Sequence, residues 1–66
     1  MTRLTCYVIH WEGLSPNAGA FGAHTKVVAS CEEQARRELI ERVLHWGAQV
    51  RKVMWVEVKG VIEEVG

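Results

Sequence analysis

The chain of 66 residues has few of the features that mark well-known classes of protein. It has two cysteines and no CxxC pair, which is too few for a disulfide scaffold, so we expect reduced thiols. No run approaches the roughly 20 apolar residues of a membrane-spanning helix, and the N-terminal residues lack the long apolar core of a signal peptide. We therefore expect a cytoplasmic protein without a membrane partner.

Net charge and motifs of catalytic or metal sites are also absent. Eight basic and eight acidic residues give a net charge of zero, which disfavours nonspecific binding to nucleic acid. No phosphate-binding loop, dinucleotide fingerprint or nucleophile elbow occurs. Cys31 opens the predicted helix, a place that can activate a thiol, but nothing else marks Cys6 or Cys31 as a nucleophile, and the spacing of His10 and His24 matches no zinc motif. We therefore expect no enzyme activity, no metal and no cofactor.

The stretch SCEEQARRELIERVLHWG, residues 30–47, predicts one helix at about residues 31–46. Ser30 and Glu33 have the spacing of a capping box, and Gly47 suits the left-handed residue that ends a helix. Acidic residues precede arginines by four positions in three pairs, which stabilises a helix. These pairs are Glu32 with Arg36, Glu33 with Arg37, and Glu38 with Arg42.

The same stretch has one apolar side. At about 100° per residue, an apolar stripe forms opposite a charged face, as in a helix that packs on a sheet. The stripe consists of Ala35, Leu39, Val43 and Trp46, with Ile40 at its margin.

The rest of the chain predicts strands, in the order β-β-α-β. Residues 3–12 are apolar on both faces, which is typical of a central strand. Residues 13–20, GLSPNAGA, predict a loop, and residues 21–29 predict a second strand. Residues 49–59 predict a third strand with a turn at Lys59 and Gly60, and residues 61–65 predict either a short fourth strand or a partly ordered tail. The 66 residues form a single domain.

A hairpin register follows from side-chain size. If Trp11 lies opposite Ala23, and His10 opposite His24, large residues meet small ones on the side beneath the helix. The third strand then pairs with the first, and the sheet order is 2-1-3 with antiparallel neighbours. The predicted fold is a two-layer α+β domain, in which one helix packs on an antiparallel sheet of three to four strands.

The sheet face that the helix leaves uncovered is the predicted binding surface. Tryptophan and arginine are enriched at binding hot spots, and an apolar patch on a small monomer usually marks a partner surface. The candidate partner-binding residues are His10, His24, Lys26, Arg51, Val53 and Trp55. The charged helix face is a secondary candidate, with Arg37, Glu38 and Glu41.

Three alternatives stay open at this point. Trp55 can turn into the core, in which case the patch does not form. The aromatic and basic residues of the sheet can also stack on single-stranded RNA, although the glycine-aromatic motifs of such modules are absent. A homodimer through the same face would supplement the small core.

A hairpin, a helix that opens with SCEEQARREL, and a final strand resemble the architecture of anti-CRISPR proteins, small proteins of phages and mobile elements. The resemblance covers the whole chain as architecture, and no diagnostic motif carries it. It implies a stoichiometric inhibitor that binds a subunit of a CRISPR effector of the Cascade type. Such an inhibitor blocks target-DNA binding or nuclease recruitment without catalysis.

Overall fold

The computed structural model describes residues 3–63, which form three strands and one helix. In chain order these are β1 (Arg3–Ser15), β2 (Gly19–Ala29), α1 (Glu32–His45) and β3 (Gln49–Glu63). The sheet order is β2-β1-β3, and both neighbouring pairs are antiparallel. The predicted α+β class, the element order and the central position of the first strand are confirmed.

The hairpin register is also as predicted. Trp11 lies opposite Ala23, and His10 lies opposite His24. The predicted loop at residues 13–20 is wrong in its extent, because the ladder continues to the pair Ser15 and Gly19. Gly19 has a φ of 71°, the left-handed conformation that tight hairpin connections need. Only residues 16–18 therefore connect the two strands.

β3 is one strand of 15 residues rather than a strand, a turn and a short fourth strand. It pairs with β1 on both sides of the predicted turn, as Tyr7 lies opposite Val58 and Cys6 opposite Gly60. Lys59 is the extra residue at this point, so the turn is replaced by a β-bulge. Residues 64–65 of the predicted fourth strand lie outside the described residues.

α1 begins without the predicted capping box. Its N-cap residue is Cys31, which makes no side-chain hydrogen bond to the helix end. The amide of Ser30 donates to Oε1 of Gln34 at 3.2 Å, and the Ser30 hydroxyl donates to the same oxygen. The hydroxyl is thus engaged as a donor, and Glu33 lies 3.5 Å from Arg37 instead of reaching back.

A second predicted pair forms on α1, between Glu32 and Arg36 at 3.1 Å. The third pair, Glu38 with Arg42, is not found among the described residues. Arg42 instead donates from Nη1 to the backbone carbonyl of Lys26 in β2, at 3.4 Å. The helix therefore uses this arginine to contact the sheet.

The helix ends as Gly47 predicts. Gly47 has a φ of 88°, its amide donates to the carbonyl of Leu44, and the amide of Ala48 donates to that of Val43. These two bonds are those of a Schellman motif. Trp46 is the residue between helix and glycine, and its side chain is 64% exposed. Its predicted place in the buried stripe is wrong, because helical spacing no longer directs a side chain to the sheet at the helix end.

The core lies between α1 and one face of the sheet. Its buried members are Tyr7, Ile9, Trp11, Val27, Ala29, Ala35, Leu39 and Val43. A helix of 14 residues is about 21 Å long, about half of the 42 Å length of the molecule. The far end of β3 therefore extends past the helix, and Val58 and Val61 are exposed there.

Gly13 lies at a position in this core where neighbouring atoms leave no space for a side chain. A Cβ added to it would lie 2.7 Å from the Phe21 ring, 3.1 Å from the carbonyl oxygen of Gln49, and closer still to the Trp11 ring. Two aromatic rings thus occupy the space of a side chain at this position. The glycine is required by packing.

We predict that Gly13→Ala destabilises the fold by about 1–3 kcal/mol, the usual cost of overpacking. Chemical denaturation in urea measures this as a lower midpoint. Gly22→Ala is the matched control, because a Cβ there meets no atom within 4 Å, and its midpoint should be unchanged or slightly raised. Equal midpoints for the two variants would contradict the packing account of Gly13.

Candidate functional site

The side of the sheet opposite α1 is not covered by any other described element. Successive side chains of a strand point to opposite faces, so Ile9 and Trp11 face the helix and His10 faces away. His24 is the partner of His10 in β2, and Trp55 is its partner in β3. We call this side the bare face. It carries Val8, His10, Glu12, His24, Lys26, Lys52, Trp55 and Glu57.

Three rings cross the bare face in one line, one from each strand. The Trp55 indole stacks on the His10 imidazole, with ring centroids 3.9 Å apart and planes 7° apart. The His10 and His24 rings are 5.6 Å apart with planes tilted by 31°. We call Trp55, His10 and His24 the ring row. Trp55 is 52% exposed, so the alternative in which it turns into the core is wrong.

Four of the six predicted residues therefore lie together: His10, His24, Lys26 and Trp55. The prediction is wrong for Val53, which lies opposite Trp11 and packs against the core. The bulge at Met54 causes this, because an extra residue reverses the alternation that would otherwise place Val53 beside Trp55.

Arg51, the sixth predicted residue, is the extra residue of another bulge and is exposed. It has no partner in β1, since Lys52 lies opposite Glu12 and Val50 lies opposite Gly13. The pairing of β3 with β1 therefore does not determine whether the Arg51 side chain lies on the bare face. The binding role of these residues stays a prediction.

Charged groups of both signs surround the ring row, and several of them are not among the predicted partner-binding residues. Glu12 lies opposite Lys52, and Glu57 lies opposite Val8. Alternation from His10 indicates the side on which Glu12 lies. Alternation from Trp55, two residues earlier in the same strand, indicates the side of Glu57. The side of Lys52 instead depends on the bulge at Met54, for which the sequence carries no clear signal.

Glu57 and Lys59 form an ion pair with 2.8 Å between carboxylate oxygen and Nζ. The hydrogen bond from Lys59, and then the attraction of its charge, lower the pKa of the Glu57 carboxyl. The same two contacts raise the pKa of Lys59. Both side chains reach solvent, so the pair orients the carboxylate more than it stabilises the fold.

Nε2 of His10 is the one buried side-chain nitrogen or oxygen in residues 3–63 that has no hydrogen-bond partner. Such a group costs about 1–3 kcal/mol relative to a paired one. Its position in the centre of the ring row makes it the least satisfied polar atom of the bare face.

The secondary candidate, the helix face, brings no comparable group together. Arg37 is engaged with Glu33, Glu38 is half-buried and Glu41 is exposed. The arrangement is that of a solvated face with alternating charge.

Over the described range, no three histidine, cysteine or acidic side chains come together to hold a metal ion. None of the helices described is long and apolar enough to span a bilayer. No protein-family model, no curated protein and no solved structure matches the chain. The function of the protein is therefore inferred from the bare face itself.

We predict that the Glu57 carboxyl titrates below its usual pKa, and that Lys59→Gln raises that pKa towards the usual value. NMR of the side-chain carboxyl against pH measures both. Because the folded pKa is depressed, any stabilisation by the pair is present above the unfolded pKa and is lost as pH falls through the folded one. Lys52→Gln removes an equal charge without the hydrogen bond, and a similar rise in that variant would contradict the assignment.

Proposed function

We propose that this protein is a non-enzymatic protein-binding domain that acts by occupying the surface of its partner. The ring row on the bare face is the observation that carries this proposal. A half-exposed tryptophan stacked on a histidine is a rigid apolar projection, and tryptophan is the residue most enriched at binding hot spots. The stack with His10 holds the indole in place, which reduces the entropy lost on binding.

The charges of the bare face favour a protein partner over nucleic acid. Lys26, Lys52 and Lys59, the partner of Glu57, are offset by Glu12 and Glu57 except for one positive charge, so the face has no large excess of positive charge. Binding to phosphates requires such an excess, because affinity comes from neutralising them. Protein interfaces instead place polar groups of both signs around an apolar centre.

The unpaired Nε2 of His10 supports the same proposal. A buried polar atom without a partner is costly in the free protein. A partner that bonds this atom while Trp55 stays stacked on His10 would gain that free energy on binding. Specific interfaces often use polar groups in this way, since the wrong partner leaves them unpaired.

The architectural resemblance to anti-CRISPR proteins makes a subunit of a Cascade-type CRISPR effector the first partner to test. In that role the protein would block target-DNA binding or nuclease recruitment by occlusion. Such a role needs a stable surface and no catalytic group. The bare face meets the first requirement through the stacking of Trp55 on His10.

We predict that Trp55→Ala weakens partner binding by about 2 kcal/mol or more, the level of a hot spot, which is about 30-fold in Kd. Immobilised protein is exposed to bacterial lysate or to purified effector complex, and bound protein is quantified. Trp46→Ala is the matched control, because Trp46 is 64% exposed against 52% for Trp55 but lies at the end of α1. It should bind as the wild type does.

Recovery of no stoichiometric partner by the wild type, or equal binding by the Trp55 variant, would contradict the proposal. Circular dichroism first shows that both variants are folded. Fluorescence anisotropy with single-stranded RNA and DNA tests the nucleic-acid alternative. We expect no binding at low salt, and binding that weakens as salt rises would favour that alternative instead.

A further inference from the structure

His10 and His24 form a directly opposed pair across the two strands of the hairpin. They are Cα partners in the ladder, and their ring centroids are 5.6 Å apart. No hydrogen bond of the described residues engages either imidazole. Neither imidazole is therefore hydrogen-bonded, and the pairing of the two strands holds the rings side by side on the bare face.

We propose that His10 and His24 form a two-imidazole binding site for a divalent transition-metal ion. Imidazole is a preferred ligand of copper, nickel and zinc ions, and Cu²⁺ binds most strongly in that series. Metal–nitrogen bonds are about 2.0–2.1 Å for zinc. With ring centroids 5.6 Å apart, a shared ion requires that one nitrogen of each ring turn towards the same position. Water completes the coordination, and the site does not depend on the protein-binding proposal.

The two histidines differ in access. His24 is exposed on β2. Nε2 of His10 is buried, whereas the residue as a whole is only partly buried, so we assign the metal bond of His10 to its other ring nitrogen, Nδ1. The surrounding charges oppose each other, because Lys26 follows His24 by two residues and Glu12 follows His10 by two. The local charge therefore neither excludes nor strongly attracts a cation.

The affinity should be moderate for two reasons. Metal-binding histidines usually donate their other ring N–H to a carboxylate or carbonyl, and loss of that contact costs about 10–100-fold in affinity. Nε2 of His10 has no such partner. Stable zinc sites also have three or four protein ligands, whereas this one has two. The ion should therefore bind reversibly and leave open positions.

The stack of Trp55 on His10 provides the readout, since a bound Cu²⁺ ion quenches the fluorescence of a nearby indole. The titration uses CuCl₂ with the full chain in a Cys31→Ser background, because Cys31 is an exposed thiol and a competing soft ligand. His24→Gln is the test variant. His45→Gln is the matched control, since it removes the third histidine, which is exposed on α1.

We expect saturable quenching with one ion per chain in the background protein and in the His45 variant. His24→Gln should raise the quenching midpoint at least about tenfold, because loss of a ligand costs no less than loss of an outer-shell partner. Trp55→Phe lacks the indole that reports binding, so calorimetry replaces fluorescence for this variant. It should still show that the ion binds. Equal midpoints for His24→Gln and the background protein would overturn the site, as would loss of binding in His45→Gln.

Discussion

The packing of Trp11 sets the register of the sheet, and the other features follow from that register. The indole is 2% exposed, meets the Phe21 ring edge-on at 5.4 Å, and donates from Nε1 to the Thr25 hydroxyl at 3.0 Å. It also requires glycine at position 13. A slip of one residue would turn every side chain of one strand to the other face. Such a slip of β2 would bury His24 and expose Val27 and Ala29, which are buried in the core.

The bare face exists because the single helix α1 covers only one side of the sheet. Ala35, Leu39 and Val43 close one side of the sheet, and among the described elements nothing closes the other. The central strand is nevertheless well packed on both sides, since Val8 is buried between the side chains of its neighbours. The surface offered to a partner is therefore well packed, with the exposed rings of Trp55 and His24 on either side of His10 in the central strand.

The two proposals for this face use different properties of the same row of rings. Protein binding depends on the exposed area and rigidity of Trp55, and on charges of both signs around it. Metal binding depends on the free imidazole nitrogens of His10 and His24. Both depend on the hairpin register, so a partner that contacts Trp55 would lie beside any ion that the histidines hold.

The sequence determined the elements whose signals are local or repeated. Apolar residues on both faces predicted β1 as the central strand, and the match of Trp11 with Ala23 predicted the hairpin register. Gly47 predicted the helix end correctly. These features are readable because each depends on neighbouring residues or on the size of a side chain.

The tertiary structure alone decided the outcome where residues far apart compete. Arg42 contacts the carbonyl of Lys26 in the sheet rather than Glu38, whereas the Ser30 hydroxyl is drawn from the cap by a local residue, Gln34. The bulge at Met54 sends Val53 to the core and Trp55 to the bare face. A bulge depends on how a whole strand fits its neighbour, and strand spacing in the sequence assumes that no residue is extra. The sequence therefore predicted that one side of the sheet is open. The pairing of β3 with β1 decided which residues lie on that side.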